Sequence, residues 1–195
     1  MAYPDKQEFL ALLRERKHEE VVEECILGGL PFAFKDDPPT HGILLDEISR
    51  ELAIARDTIM VVGSGRTGFS LDPEKYGNPF SVRSDLDIAI VNSALFDDAW
   101  MDMLRVGGAY RTLKPGIREW LKTHRQNLVY WGIVRPDSLP GVVRISSKWF
   151  STFHGLSRNR TFASRTITGR LYRTRDHLLV HQMYSCDAVL AAQKA

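Results

Sequence analysis

Cysteine is nearly absent. The 195 residues hold two, Cys25 and Cys186, far apart and outside any CxxC or Cys/His ligand spacing. A disulfide scaffold and a structural metal fold are thereby excluded, and free, buried thiols in a reducing cytoplasm are expected. Long apolar runs are missing as well. The longest, such as Ile59–Val62, fall far short of the roughly 20 residues that a spanning helix needs, so no membrane is expected as a partner. The N-terminus has no basic stretch leading into an apolar one, so no secretory leader is expected. No Gly-Lys-Ser/Thr occurs, which excludes a Walker A loop. There is no internal repeat and no low-complexity tract. A balance of 44% hydrophobic and 26% charged residues excludes collagen, coiled coil and wholesale disorder. A chain of this length buries about two thirds of its unfolded surface, enough to fold as one domain without covalent staples.

The net charge of +2 conceals a division. Residues 1–104 hold 10 Lys and Arg against 20 Asp and Glu, whereas residues 105–195 hold 16 against 4. A basic half of that size can hold a nucleic-acid strand or a polyphosphate, with Trp149, Phe150, Phe153, Phe162 and Tyr172 among the arginines to stack on bases. Equally, the two halves can attract each other within the fold or across a dimer.

Apolar spacing predicts a first amphipathic helix from Asp5 to Cys25, stopped by Gly28-Gly29, and a second from about Ile43 to Asp57 after a Pro-rich loop. The β-branched run Ile59-Met60-Val61-Val62 reads as a buried strand. Residues 63–84, rich in Gly, Ser, Pro and charge, cannot be one regular element and read as a long loop. A strand over 85–91 follows, then a helix from Ala94 to about Arg105 capped by Ser93, and a helix beginning at Pro115 and running through Trp131. Val142-Val143-Arg144-Ile145-Ser146-Ser147 reads as a further strand, Arg165 to Thr174 as extended, and Asp176 to about Ala192 as the last helix. The expected fold is α/β, α+β in stricter usage: a small mixed sheet flanked by helices on one side. Its parts are a helical lead-in over 1–58, a catalytic core over 59–147, and a basic C-terminal segment and helix over 148–195.

Gly63-Ser64-Gly65-Arg66-Thr67-Gly68 spells GxGxxG after a strand, but Phe69-Ser70-Leu71-Asp72-Pro73 continues it where a dinucleotide fold opens a helix. That context is missing. A better account joins Gly63-Ser64 to Asp85-Leu86-Asp87. Residues i and i+2 of a strand project from one face, so Asp85 and Asp87 stand roughly 6–7 Å apart along the chain. Two carboxylates at a strand's mouth suit Mg²⁺ (or Mn²⁺), which takes its remaining ligands from water and phosphates. Gly63 lets backbone approach the phosphates, and the Ser64 hydroxyl and nearby amides can donate to them.

A hydrophobic strand ending in Gly-Ser, with Asp-x-Asp heading the next strand, resembles the nucleotidyltransferases of the DNA polymerase β superfamily. The resemblance covers Ile59 to Val91. It implies a nucleoside triphosphate held at Gly63 and Ser64 with Arg66 assisting, and a metal held by Asp85 and Asp87. The implied activity is transfer of a nucleoside monophosphate to a hydroxyl of a nucleotide or oligonucleotide, tRNA or protein. Small bacterial members act in toxin–antitoxin or phage-defence systems. Two features depart from the family's pattern. Twenty residues lie between Ser64 and Asp85, which makes Arg66 to Arg83 an insertion at the rim. The third carboxylate that family enzymes place on a later strand is absent from 142–147, leaving as alternatives Asp137, nearby in a Pro-flanked loop, and Glu119 and Asp176, on or beside expected helices. A nucleotide- or RNA-binding module of the same fold, without chemistry, is therefore the rival. A homo-oligomer or a partner protein is left open.

Three other groups carry weaker signals. His177 and His181, at i and i+4, could share a zinc but have no third ligand. Arg158, Arg160, Arg165, Arg170, Arg173 and Arg175 have the forks that match phosphate. Trp120, Leu121, His124, Leu128 and Trp131 form a stripe that reads as core.

Overall fold

Asp5 begins the described chain's first helix. Its Oδ1 accepts from the amides of Gln7 and Glu8 at 2.7 and 2.9 Å while Glu8 Oε2 accepts from Asp5 N, a capping box that starts α1 (Lys6–Glu15). The computed structural model describes residues 3–193 apart from 109, 128 and 140–142. The single helix expected over residues 5–25 is broken at Arg16, which is extended, and resumes as α2 (His18–Val21) and a wide π turn, Val22–Leu27. His18 Nε2 lies 3.0 Å from Leu13 O, and Arg16 turns to the carboxylates of Glu20 and Glu24. Through the break, Phe9 and Leu13 on one side and Val21, Val22 and Ile26 on the other bury into a common core.

Helix α3 (Pro38–Leu52) starts earlier than expected because Pro38 and Pro39 occupy its first turn behind an Asp37 cap. Strand β1 (Ile59–Val62) is followed by one helical turn, α4 (Ser64–Thr67), and, after the loop, by β2 (Leu86–Val91). Asn92, not Ser93, caps α5 (Ser93–Gly108) by accepting from Leu95 N at 2.9 Å. Then come α6 (Pro115–Asn127), a short edge strand β3 (Ile133–Val134), α7 (Arg144–Arg158), β4 (Ile167–Tyr172) and α8 (Arg175–Ala192).

The strand expected over 142–147 is corrected: Arg144 onward is helical, with 140–142 outside the described residues. Ser146, Trp149, Phe153 and Leu156 recur at helical spacing and bury, which outweighs the local β-branched preference of Val143 and Ile145. Arg144 clamps the helix start to α5, with Nε and Nη2 2.9 and 2.8 Å from the carboxylate of Asp102.

The four strands form one mixed sheet in the order β1-β2-β4-β3. β1 pairs antiparallel to β2, β2 parallel to β4, and β4 antiparallel to β3. The sheet thus reaches past residue 147 into the segment expected to be a basic extension. Helices cover both faces rather than one. Leu86, Ile88 and Ile90 point to a core with α3, α5 and α7, and Ala89 and Tyr172 to one with α1, α2 and α8. The fold is α+β with a helical N-terminus. No described helix is long and apolar enough to cross a membrane.

Candidate active site

β1 ends with Val62 opposite Asp87, and the chain turns at Gly63 with φ 63° and ψ −151°. Side chains avoid that region, and a Cβ there would lie 3.0 Å from Asp87 Oδ2. Glycine therefore brings backbone against carboxylate. Gly63 O then accepts from the amides of Arg66 and Thr67 at 3.0 and 3.2 Å, closing α4. Gly65 packs on β2 so tightly that a Cβ would be 2.6 Å from Leu86 Cδ1.

Asp87, half-buried in β2, accepts the hydroxyl hydrogen of Thr168, its parallel partner on β4, at 2.9 Å. Asp85 stands exposed one residue before the strand. Gly63, Ser64, Asp85 and Asp87 all line one cavity of about 830 Å³, inside the range of about 300–1,000 Å³ usual for small-ligand sites. No ion pair among the described residues involves either aspartate.

The long loop supplies one wall. Its two arms are held together by Ser70 N to Asn78 O and Phe80 N to Gly68 O, both 2.8 Å, and Tyr76 donates to Lys6 O of α1 at 2.6 Å. Lys75 and Arg83 of this loop and Arg170 of β4 bring three cations to the cavity. α8 supplies the opposite wall with His181, Gln182, Tyr184 and Ser185. Tyr172 Oη and His181 Nδ1 share a hydrogen bond at 3.0 Å. Burial pushes the Tyr172 phenol up to about 12 and the His181 imidazole down to about 4, with Arg170 also lowering the latter. Both are uncharged at neutral pH.

Arg66, expected to assist at the phosphates, points elsewhere. Two residues along a helical turn from Ser64, it is 6% exposed and enters the N-terminal layer, donating to Leu30 O and, at 3.2 Å, to Glu24 O. Its role is to tie the lead-in helices to α4.

Among the described residues no three His, Cys, Asp or Glu side chains group as a metal cluster. β4 is the later strand beside β2, and its residues on the Asp87 face are Thr168, Arg170 and Tyr172, none acidic. Glu119 and Asp176 do not line the cavity, and Asp137 pairs with Arg135 at 3.6 Å. Asp72 of the loop does line it, with Oδ1 capping Glu74 N. Sequence reading overlooked Asp72, Lys75, Thr168, Gln182 and Tyr184. Only the tertiary pairing of β2 with β4 and α8 places the last three.

His177 and His181 are turned to separate partners, His177 Nδ1 lying 2.7 Å from Thr174 Oγ1, so the zinc reading finds no support. The Trp120 stripe divides. Leu121 and His124 bury, Trp120 stacks on His124 at 4.6 Å, Leu128 lies outside the described residues, and Trp131 is 46% exposed. The opposed charges are in part paired internally, through Arg144–Asp102, Arg173–Asp97 and Arg175–Glu23. Arg165 lies over the Phe80 ring, 4.7 Å from its centroid, and Arg158 and Arg160 are exposed.

Family models, curated proteins and solved structures give no match to this chain.

Proposed function

We propose that this chain is a divalent-metal-dependent nucleotidyltransferase of the DNA polymerase β type. An acceptor hydroxyl oxygen attacks the α-phosphorus of a nucleoside triphosphate, the bond to the pyrophosphate oxygen breaks, and the hydroxyl proton leaves to solvent or a nearby base. The observation that carries the reading is the meeting of Gly63, Ser64, Asp85 and Asp87 at one cavity whose other walls hold Lys75, Arg83 and Arg170.

Asp85 and Asp87, in no ion pair among the described residues, suit Mg²⁺ or Mn²⁺, which leaves positions for phosphate and water. The cation supplies neutralisation of phosphate charge in the transition state. Gly63 and Ser64 take the phosphates, and the three basic side chains spread the remaining charge. Thr168 fixes the orientation of Asp87. A tRNA, nucleotide or protein acceptor and a place in bacterial defence or toxin–antitoxin systems belong to this reading through the resemblance alone.

Thr168 and Arg170 on the Asp87 face of β4, where a third acid is expected, favour a second reading: a module of the same fold that binds nucleotide or RNA without chemistry. Incubation with each α-labelled NTP and dNTP, with Mg²⁺ or Mn²⁺ and with or without bulk tRNA, decides between them beside an Asp85→Ala/Asp87→Ala double variant. Label entering tRNA, the protein or a new oligonucleotide, and lost in the double variant, supports transfer. Nucleotide bound with no incorporation supports the second reading.

A further inference from the structure

A second cavity, of about 740 Å³, adjoins the first and shares His181 and Tyr184 with it. Its lining is aromatic. Tyr130 and Trp131, 77% and 46% exposed, come from the turn after α6, and Tyr184, 54% exposed, from α8. Of the ten exposed large hydrophobic side chains among the described residues, these three and Val180 line this one cavity. Such concentration marks a binding surface rather than scattered exposure.

The platform is built, not incidental. Tyr130 meets Trp131 edge-on at 5.3 Å between centroids, and Trp131 meets Tyr184 edge-on at 5.7 Å. Gly132, with φ 67°, seats the turn against α8 where a Cβ would lie 2.0 Å from His177 Cδ2, and Gly132 O accepts from Arg173 N at 2.9 Å. Aromatic rings with open faces stack any base, and Asp176 and His177 on the same lining offer hydrogen-bond partners to a base edge.

We propose that the aromatic cavity of Tyr130, Trp131 and Tyr184 seats an unpaired nucleobase of the acceptor, whose sugar enters the neighbouring carboxylate cavity past His181 and Tyr184. The proposal rests on the transferase reading and narrows it to a nucleotide or single-stranded acceptor. The cations Lys75, Arg83 and Arg170 in the adjoining cavity favour a phosphate-bearing occupant over an apolar peptide or lipid.

The test is binding measured in EDTA, where stacking persists without the metal. The probes are labelled AMP by equilibrium dialysis and a fluorescein-labelled five-nucleotide oligo(A) by anisotropy, with a blunt RNA duplex as control. Trp131→Ala and Tyr130→Ala each weaken one or both single-stranded probes about tenfold, and Trp131→Phe restores binding. Binding of AMP identifies a free nucleotide as acceptor, and binding of the oligonucleotide alone identifies a strand end. Folded wild type that binds neither probe, or binds the duplex equally, overturns the proposal, as does Trp131→Ala binding like wild type. Incorporation assays on the same variants separate the two claims. Transfer that survives Trp131→Ala sinks the base site and leaves the transferase. Base binding lost in Trp131→Ala, with no transfer by wild type, leaves the site and sinks the transferase.

Discussion

Thr168 donates its hydroxyl to Asp87 Oδ1 at 2.9 Å across the parallel pairing of β2 and β4. A neutral donor stands where the resemblance leads one to expect a third carboxylate. The substitution Thr168→Asp would set two carboxylates directly opposite on adjacent strands. Without metal, that like-charge pair destabilises by about 1 kcal/mol. With millimolar Mg²⁺ the loss is recovered, because a third oxygen ligand joins the pair. Melting in EDTA and in Mg²⁺ checks this. A variant equally destabilised in both would mean that position 168 does not face a cation site.

Arg66→Met separates anchoring from phosphate binding. The guanidinium donates to two backbone carbonyls in a buried setting, so removal costs about 2–4 kcal/mol of stability. Nucleotide affinity is expected to stay within twofold, since Arg66 does not line the carboxylate cavity. Urea unfolding beside nucleotide titration measures both. A tenfold loss of affinity at unchanged stability would restore Arg66 to the phosphates.

The contrast between Asp87 and Arg66 shows how far the sequence could be read. Strand β1, the Gly63 turn and the Asp85-Leu86-Asp87 entry to β2 are local: a β-branched run, a glycine and an alternation define them within 33 residues. The direction of Arg66 depends on how tightly α4 winds, which Leu86 and Gly65 decide at close range. The pairing of Asp87 with Thr168 spans 81 residues and leaves no local mark. Helix α7 was hidden for a different reason. Its buried stripe includes Ser146 and Thr152 beside Trp149 and Phe153, and it follows a β-branched stretch, so the apolar period is interrupted where the helix begins.

Gly169→Ala tests the packing that holds β4 in place. A Cβ there would lie 2.3 Å from Phe153 Cζ and 2.8 Å from Trp149 Cζ2, both rings buried under α7. Neither can retreat without shifting the helix, so the cost is about 1–3 kcal/mol. The midpoint of urea unfolding should fall accordingly with the slope unchanged. A neutral effect would mean that α7 sits farther from the sheet than its side chains indicate.

Acid stability should fall in two stages. Burial pushes His124 and His181 down to about 4 from the usual 6.5, so each stays neutral in the fold and takes a proton more readily when unfolded. Their contribution is full above pH 6.5 and is lost as the pH falls toward 4, on the order of 3 kcal/mol for each. Asp102 adds the lower stage. The hydrogen bonds from Arg144 hold its carboxyl down to about 2 from 3.8, so its stabilisation is present above 3.8 and lost as the pH falls toward 2. His124→Phe isolates the first stage, because it keeps a ring against Trp120 and removes a buried Nε2 that has no partner among the described residues. Urea midpoints between pH 7.5 and 4.5 should then decline less steeply than in wild type, while the decline below pH 4 remains. Parallel slopes for the two proteins would show that His124 does not carry the acid sensitivity, leaving His181 and its contact with Tyr172 as the group to replace next.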